Sequence, residues 1–156
     1  MRDFFEEQVR EPDPRQLVLL VVGAHLEAEV TDRALGYRLR EAILAWQAAA
    51  ECPHPLRPVV CTDLWYLNSQ PLRQRPAISL GRPEINAATA FLARRLPSAF
   101  MIEQTYCIQL DPEYIDLDVC IWGTDCRATV SAVELFNERY LPEYLEHVHR
   151  QPLDAR

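Results

Sequence analysis

The sequence predicts an α/β fold: a three-layer α/β/α sandwich, Rossmann-like, with a mainly parallel sheet and an antiparallel edge. Three observations lead to this prediction. Residues 17–23 (LVLLVVG) are a continuous aliphatic run, which is typical of a strand covered on both faces. Further strand-like and helix-like segments alternate along the chain, as they do in sheets covered by helices. Two of the predicted strands end at a glycine that leads into a helix, at Gly81 and at Gly123.

Length and composition indicate one folded domain. The chain has 156 residues, of which 49% are hydrophobic and 25% charged, so it can bury a core and has the composition of a globular protein. We expect a single α/β domain over residues 17–150, with an N-terminal arm at 1–16 and a frayed tail at 151–156. In the arm, Phe4, Phe5 and Val9 could share one face of a short helix, as a packing arm or as a dimer contact.

The charge balance excludes several classes of function. A net charge of −7 repels phosphates, so neither nucleic acid nor a membrane surface is an expected partner. The chain contains no lysine, which excludes Schiff-base, P-loop and kinase chemistry. The longest apolar run, 17–22, is too short to cross a bilayer, and residues 1–15 lack the apolar core of a signal peptide. Five scattered cysteines without a C-x-x-C pair favour reduced thiols, so we expect a cytoplasmic location.

Two strands and one long helix are predicted for the first half of the chain. After the first strand, Thr31 or Asp32 is the predicted N-cap of a helix that runs to about Ala50. The apolar stripe of this helix recurs every three or four residues and consists of Leu35, Leu39, Ile43 and Trp46. Residues 58–67 predict the second strand, with Asp63 near its middle or at its carboxyl end.

Three strand segments and three helical segments are predicted for the second half. The strands are predicted at 77–80, 99–111 and 116–123. Because apolar and polar residues alternate in 99–111, this segment is either one half-exposed strand or a strand pair, and it would form the antiparallel edge. The helices are predicted at about 85–96, 123–140 and 142–149.

A ligand site is expected beyond the carboxyl ends of the strands, where open parallel sheets hold their ligands. Four predicted junctions lie there. Their candidate ligand-binding residues are His25 after the first strand, Asp63 after or within the second, Gly81, Arg82, Glu84 and Asn86 after the third, and Thr124 and Asp125 after the last. A helix start behind a glycine loop presents free N–H groups, so the expected ligand is a small anion.

These loop residues also have a purely structural interpretation. Gly81 fits a turn, and Glu84 or Asn86 fits the cap or first turn of a helix. Residues 123–125 likewise fit a turn and an N-cap, and the carboxylate of Asp125 would compete with a phosphate for the helix end. The loop at 81–86 matches neither G-x-G-x-x-G nor a P-loop, so both interpretations stay open.

Neither a metal site nor a catalytic nucleophile is predicted. A metal ion would need ligands from four separate loops, namely His25, Asp63, Glu84 and Asp125. No local spacing of ligands supports such a site. Cys126 at a helix start is the best-placed nucleophile, but Asp125 beside it opposes formation of the thiolate. We therefore expect no metal and no cofactor.

Two segments resemble a known kind of domain. SLGRPEINAATAFLARRL, residues 79–96, resembles the element G-G-P-x-x-N-x-x-T/A-x-x-L-A of Rossmann-like domains in archaeal S-layer and related surface proteins. WGTDCRATVSAV, residues 122–133, is similar to their later element G-x-D-x-x-x-T-x-x-A-V through Gly123, Asp125, Thr129, Ala132 and Val133. Arg82 stands where the first element has its second glycine. The resemblance implies an α/β structural or binding domain rather than a known enzyme, and it supplies no catalytic residues.

Two functional hypotheses follow from these observations. The first is an α/β module without catalytic activity that binds a ligand or a protein partner, with a homodimer as one candidate. It rests on the lack of a complete catalytic constellation in the sequence. The second is a small enzyme that acts on a nucleotide or a phosphorylated metabolite. In that case the loops after Gly81 and Gly123 would hold the anion, and Asp63 or Glu84 would be the base. We favour the first hypothesis.

Overall fold

The strands of the described residues form one mixed six-stranded sheet with helices packed on it. The computed structural model describes residues 13–151, so the predicted arm helix with Phe4, Phe5 and Val9 and the predicted tail at 152–156 lie outside the described residues. The strands are β1 (Leu17–Val22), β2 (Arg57–Thr62), β3 (Ala77–Leu80), β4 (Ser98–Ile102), β5 (Tyr106–Leu110) and β6 (Val119–Gly123). The helices are α1 (Arg33–Ala49), α2 (Asp63–Asn68), α3 (Gln70–Arg73), α4 (Ala87–Leu92), α5 (Cys126–Arg139) and α6 (Leu141–Arg150).

The sheet has the strand order β2-β1-β3-β6-β5-β4. β1 pairs in parallel with β2 and β3, and β3 pairs in parallel with β6. β5 pairs antiparallel with both β6 and β4, so the alternating segment at 99–111 is a strand pair at the edge of the sheet. The predicted α/β fold, with a mostly parallel sheet and an antiparallel edge, is confirmed.

The central strand β1 connects two hydrophobic clusters. All of its residues are buried. Val18, Leu20 and Val22 belong to a cluster with side chains of α1, α5 and α6. The alternating residues of the same strand belong to a second cluster with side chains of α2, α3 and α4. Because successive side chains of a strand point to opposite faces, this continuous aliphatic run contributes to packing on both sides of the sheet.

The helix after β1 starts earlier than predicted. A π-helical turn, Ala28–Asp32, runs directly into α1, and the N–H of Glu29 already donates to the carbonyl of His25. The predicted N-cap at Thr31 or Asp32 is therefore wrong, and the side chain of Asp32 makes no capping hydrogen bond. The predicted apolar stripe is correct in that Leu35, Leu39 and Ile43 are buried.

The second predicted strand is too long. β2 ends at Thr62, whose hydroxyl accepts a hydrogen bond from the N–H of Trp65 at 3.4 Å and caps α2. The rest of the apolar run therefore belongs to a helix, with Tyr66 buried. Asp63 is the first residue of this helix and follows directly after the carboxyl end of β2. In the described part of the chain, no helix is both long and apolar enough to cross a bilayer.

The helices after β3 and β6 begin at their predicted caps. Asn86 Oδ1 accepts from the N–H groups of Ala88 and Thr89, and Asp125 Oδ1 accepts from that of Ala128. α4 is shorter than the predicted 85–96, because residues 82–86 close a turn of their own before the cap and the helix ends at Leu92. β6 also starts later than predicted, at Val119 rather than at residue 116.

Candidate functional site

The candidate site lies at the carboxyl edge of the parallel strands, which is formed by the ends of β1, β2, β3 and β6 and the loops that follow them. The strand order places β2 on one side of β1 and β3 on the other. The connection after β1 leads to one side of this strand, and the connection into β3 leads to the other side. The strand order therefore reverses between β1 and β3, and open α/β sheets bind their ligands at such a point. The loops that meet there are 23–27 after β1 and 81–86 after β3.

Asp63 connects these two loops. Its Oδ1 accepts from the N–H of Ala24 at 3.0 Å and from that of Leu64 at 2.7 Å. Its Oδ2 accepts from the N–H of Ala87, the first residue of α4, at 2.7 Å. Both oxygens of this buried carboxylate are therefore occupied by backbone groups that belong to loops after three different strands.

Asn86 connects the strands beneath the loops. Its side-chain amide donates to the carbonyl of Val21 in β1 at 3.2 Å and to that of Leu80 in β3 at 2.8 Å. Its oxygen caps α4, so every hydrogen-bonding group of this fully buried side chain has a protein partner. Asn86 therefore holds β1, β3 and α4 together at the point where the strand order reverses.

An ion pair spans the same two loops on the outside. Arg82 donates to both oxygens of Glu27, at 2.7 and 2.9 Å. The Arg82 hydrogen bonds hold the pKa of Glu27 below its usual value, and Glu27 raises that of Arg82. Both side chains are partly exposed. The pair thus covers the space between the two loops from the solvent side, and both of its side chains remain accessible to solvent.

Two glycines allow the loops to come this close. A Cβ on Gly23 would lie 1.8 Å from the carbonyl oxygen of Ile85, so the loop after β3 rests directly on the backbone of Gly23. Gly81 has φ +105°, in a region that favours glycine. A Cβ there would lie 2.5 Å from Asp32 Oδ2. Gly23 is therefore covered by the backbone of the loop after β3 and Gly81 by the side chain of Asp32, so neither position has room for a side chain.

A buried acid lies beneath the ion pair. Asp32 is only 3% exposed, and its Oδ2 has no hydrogen-bond partner. Its Oδ1 accepts a long hydrogen bond of 3.4 Å from the hydroxyl of Thr31. Burial, with a contribution from the charge of Glu27, raises the pKa of Asp32 to about 6. Asp32 lines a narrow crevice together with Glu27, Arg82 and Cys126.

Asp32→Asn is expected to stabilise the protein at alkaline pH. The pKa of Asp32 rises on folding from 3.8 to about 6, so the folded state holds this proton more tightly than the unfolded state. Stability is therefore lost as the pH rises through about 6. A neutral amide removes this loss, and we expect a free energy of unfolding about 1–3 kcal/mol above that of the wild type near pH 8, with little difference near pH 4. Urea unfolding at both pH values measures the effect.

Glu29→Gln is the matched control, because Glu29 lies on the same helical turn but is exposed and paired with Arg33. We expect it to leave the pH profile unchanged. Asp118 has its pKa raised to about 7 by burial and by the charge of Asp116, so part of the pH dependence remains in Asp32→Asn. An equal stabilisation at both pH values would contradict the assignment to the charge of Asp32.

The structure brings most of the predicted site residues together. Asp63, Gly81, Arg82, Asn86 and Asp125 all lie at the carboxyl edge, in the contacts described above or in the wall of the crevice. Their roles are mainly structural, as bridges, caps and close-packing positions.

The remaining predicted residues lie away from the crevice. Glu84 is exposed, with its carboxylate 3.8 Å from Arg82 Nε. His25 is exposed and accepts from the N–H of Glu27 at 3.2 Å. The N–H of Thr124 donates to the carbonyl of Thr105 in the β4–β5 turn, which directs residue 124 towards the edge of the sheet. In the residues that the structure describes, no group of three or more histidine, cysteine, aspartate or glutamate side chains is placed to hold a metal ion.

Comparisons with known proteins add no family to this description. No protein-family model, no curated protein and no solved structure matches the chain. The functional interpretation therefore depends on the geometry of the chain itself.

The candidate site residue that the sequence pattern missed is Asp32. From its position before an amphipathic helix it is a good N-cap, which is why the pattern assigned it a structural role. Its burial depends on the π-helical turn and on contact with Gly81, and neither is visible in the local sequence. The pairing of Arg82 with Glu27 likewise joins residues 55 positions apart.

A second charged cluster lies at the opposite, amino-terminal edge of the sheet. Arg75 is buried and donates to the carbonyl of Leu17 at 2.7 and 3.0 Å. Asp118 accepts from the N–H of Ala77 at 3.1 Å and from the guanidinium of Arg95. Because Arg75 bonds to the backbone at the start of β1 and Asp118 joins the start of β3 to Arg95, the geometry of this cluster indicates a structural role.

Proposed function

We propose that this chain is a protein-binding module without catalytic activity, and that its partner is a second copy of the same chain. The proposal is carried by one observation: three large apolar side chains are exposed on two neighbouring short helices. Leu64 and Trp65 on α2 are 57% and 55% exposed, and Phe91 on α4 is 47% exposed. We call these three residues the α2–α4 surface. Tryptophan and phenylalanine are enriched in protein interfaces, and tryptophan is among the side chains that contribute most to their binding energy.

The closed carboxyl edge supports a module without catalysis. Asp63, the strongest candidate for a general base, already accepts hydrogen bonds on both oxygens from backbone N–H groups. A base must be free to take a proton from a substrate within hydrogen-bonding distance. The alternative, a small enzyme acting on a nucleotide or a phosphorylated metabolite, would have to break these contacts and has less support.

Charge complementarity supports a second copy as the partner. Glu84 precedes α4 and Arg94 follows it, and both are exposed. In an antiparallel arrangement of α4 about a two-fold axis, the Glu84 of each copy approaches the partner subunit's Arg94. Such an interface is self-complementary, as two-fold symmetry requires, and the ion pairs would lie at its rim around Phe91.

The layer arrangement and the cellular location are part of the same proposal. A three-layer, Rossmann-like arrangement is supported by the two hydrophobic clusters that share alternate residues of β1. A cytoplasmic location is supported by the cysteines at 52, 61, 107, 120 and 126, which are all free thiols, as expected in a reducing compartment.

Phe91→Asp is expected to convert the protein to a monomer. A charge in the centre of an apolar interface has to be desolvated, so we expect the dissociation constant of the dimer to rise by about thirtyfold or more. Sedimentation velocity over a series of protein concentrations measures this change, and Trp65→Asp should act in the same direction. Circular dichroism establishes that both variants are folded.

Ile115→Asp provides the matched control, because Ile115 is the most exposed large apolar side chain in the described residues, at 79%, and lies before β6 at the other end of the sheet. It should leave self-association unchanged. A wild-type protein that sediments as a monomer at every concentration would refute the proposal.

A further inference from the structure

The carboxylate of Asp32 is buried and has one oxygen without a hydrogen-bond partner. A side chain that is 3% exposed and has an oxygen without a hydrogen-bond partner is unusual, because burial of an unpaired polar atom costs free energy. In the crevice this oxygen needs a hydrogen-bond partner. No described side chain supplies one, so an ionised Asp32 needs a donor from an incoming ligand, and a protonated Asp32 needs an acceptor from it.

One guanidinium and the N-terminus of one helix face the same crevice, whose other charged side chains are the carboxylates of Glu27, Asp32 and Asp125. Arg82 lies at its mouth, and Cys126, the first residue of α5, lies in its wall. α5 has 14 residues, so its N-terminus carries the positive end of a full helix dipole. Asp125 accepts from the N–H of Ala128, but a helix start offers further N–H groups that no intrahelical bond satisfies. The helix end and Arg82 together favour an anion.

The Glu27 carboxylate occupies the position on Arg82 that such an anion would take. It receives two hydrogen bonds from Arg82, and one of its oxygens is 4.0 Å from the Sγ of Cys126. With this pair in place, the crevice is too narrow for a water molecule. Glu27 and Arg82 are both partly exposed, so an anion from solvent can exchange with Glu27 on Arg82 without unfolding the core.

We propose that the crevice beneath the Glu27–Arg82 ion pair is a phosphate-binding site, in which phosphate replaces the carboxylate of Glu27 on Arg82 and forms a hydrogen bond with Asp32. This inference does not depend on the proposed dimer contact, although the two adjoin, since the rim residue Glu84 has its carboxylate 3.8 Å from Arg82 Nε. The ligand chemistry is that of a phosphoryl group, either inorganic phosphate or a phosphomonoester.

Phosphate is favoured over other anions because it can carry a proton as well as a charge. One hydrogen bond between Asp32 and a phosphate oxygen needs one proton, and either group can supply it near neutral pH. The groups that face Asp32 are Glu27, Arg82, Thr31 and the crevice residues Asp125 and Cys126. Displacement of Glu27 removes the negative charge that contributes to the raised pKa of Asp32. Sulfate carries no proton near neutral pH, so it can form this hydrogen bond only with protonated Asp32 and should bind more weakly than phosphate above about pH 6.

An NMR titration with inorganic phosphate tests the site, read at the backbone amides of Arg82 and Cys126. For the wild type we expect a dissociation constant of about a millimolar, because Glu27 competes for Arg82. Glu27→Gln removes this competitor and should bind phosphate about tenfold more tightly, whereas Arg82→Gln should lose about tenfold or more. Affinity should fall from about pH 6 to about pH 8, and this dependence should be smaller in Asp32→Asn.

Glu29→Gln and Arg33→Gln are the controls, since they remove charges from a surface ion pair at the start of the same helix without touching the crevice. Both should bind phosphate like the wild type. Methyl phosphate in place of inorganic phosphate separates the two sources of the phosphoryl group: equal binding indicates a phosphomonoester, and binding of inorganic phosphate alone indicates the free ion. If Glu27→Gln shows no phosphate-dependent shifts at these amides, or binds no better than Glu29→Gln, the site does not exist.

Discussion

Gly23→Ala is expected to destabilise the protein by about 3 kcal/mol or more, which is a large part of the stability of a domain of this size. The reason is the contact between two backbones. An added Cβ would lie 1.8 Å from the carbonyl oxygen and 2.8 Å from the carbonyl carbon of Ile85. A backbone group cannot rotate away as a side chain can, so the whole loop 81–86 has to move. That movement pulls Asn86 away from the carbonyl of Val21 and the N–H of Ala87 away from Asp63.

Gly36→Ala is the matched comparison for this substitution. Gly36 is also buried, but a Cβ there meets only side-chain atoms, with Val60 Cγ1 nearest at 3.3 Å. The residue lies inside α1, where alanine is favoured over glycine by about 1 kcal/mol, so the net change should be near zero. Urea unfolding followed by tryptophan fluorescence measures both variants. Similar unfolding midpoints for the two would show that the loop after β3 adapts more easily than its backbone contacts suggest.

The sequence is most informative where structure depends on local signals. The aliphatic run of β1 predicts a strand buried on both faces, and Asn86 and Asp125 are visible as helix caps from their own neighbourhoods. Local signals fail where the same run of apolar residues fits either a strand or a helix. Residues 64–67 are apolar and aromatic, which suits a strand, but Thr62 caps a helix and the buried Tyr66 fixes its orientation.

The crevice could not be predicted for a different reason: its geometry depends on contacts between distant parts of the chain. Position 27 meets position 82 only because the strand order places β3 beside β1. The Oδ2 atom of Asp32 is buried against Gly81, which adopts a positive φ and lies 49 positions further along the chain. A pattern search assigns each of these residues the role that is commonest for its local context, and that role is a cap or a turn.

Asp63→Ala is the second substitution with a large expected effect, of about 2–4 kcal/mol of unfolding free energy. It removes the acceptor of three backbone N–H groups, those of Ala24, Leu64 and Ala87. Asp63→Asn should lie between the wild type and Asp63→Ala, since the remaining oxygen can still accept on one side while the amide faces a donor on the other. Urea unfolding gives the order of stability, and hydrogen exchange at Ala24 and Ala87 should accelerate in both variants.

Asp111→Ala shows whether the loss of stability in Asp63→Ala depends on the number of hydrogen bonds removed or on the distance along the chain between the groups they join. Asp111 also accepts from three backbone N–H groups, those of Glu113, Ile115 and Asp116. These donors lie within five residues of it in a surface loop, whereas Asp63 joins groups 24 and 39 residues away. Loss of local bonds leaves the donors free to bind water, so Asp111→Ala should be clearly the milder change. If the two variants lose equal stability, Asp63 is an ordinary loop cap and the carboxyl edge is held by Asn86 and by packing against Gly23.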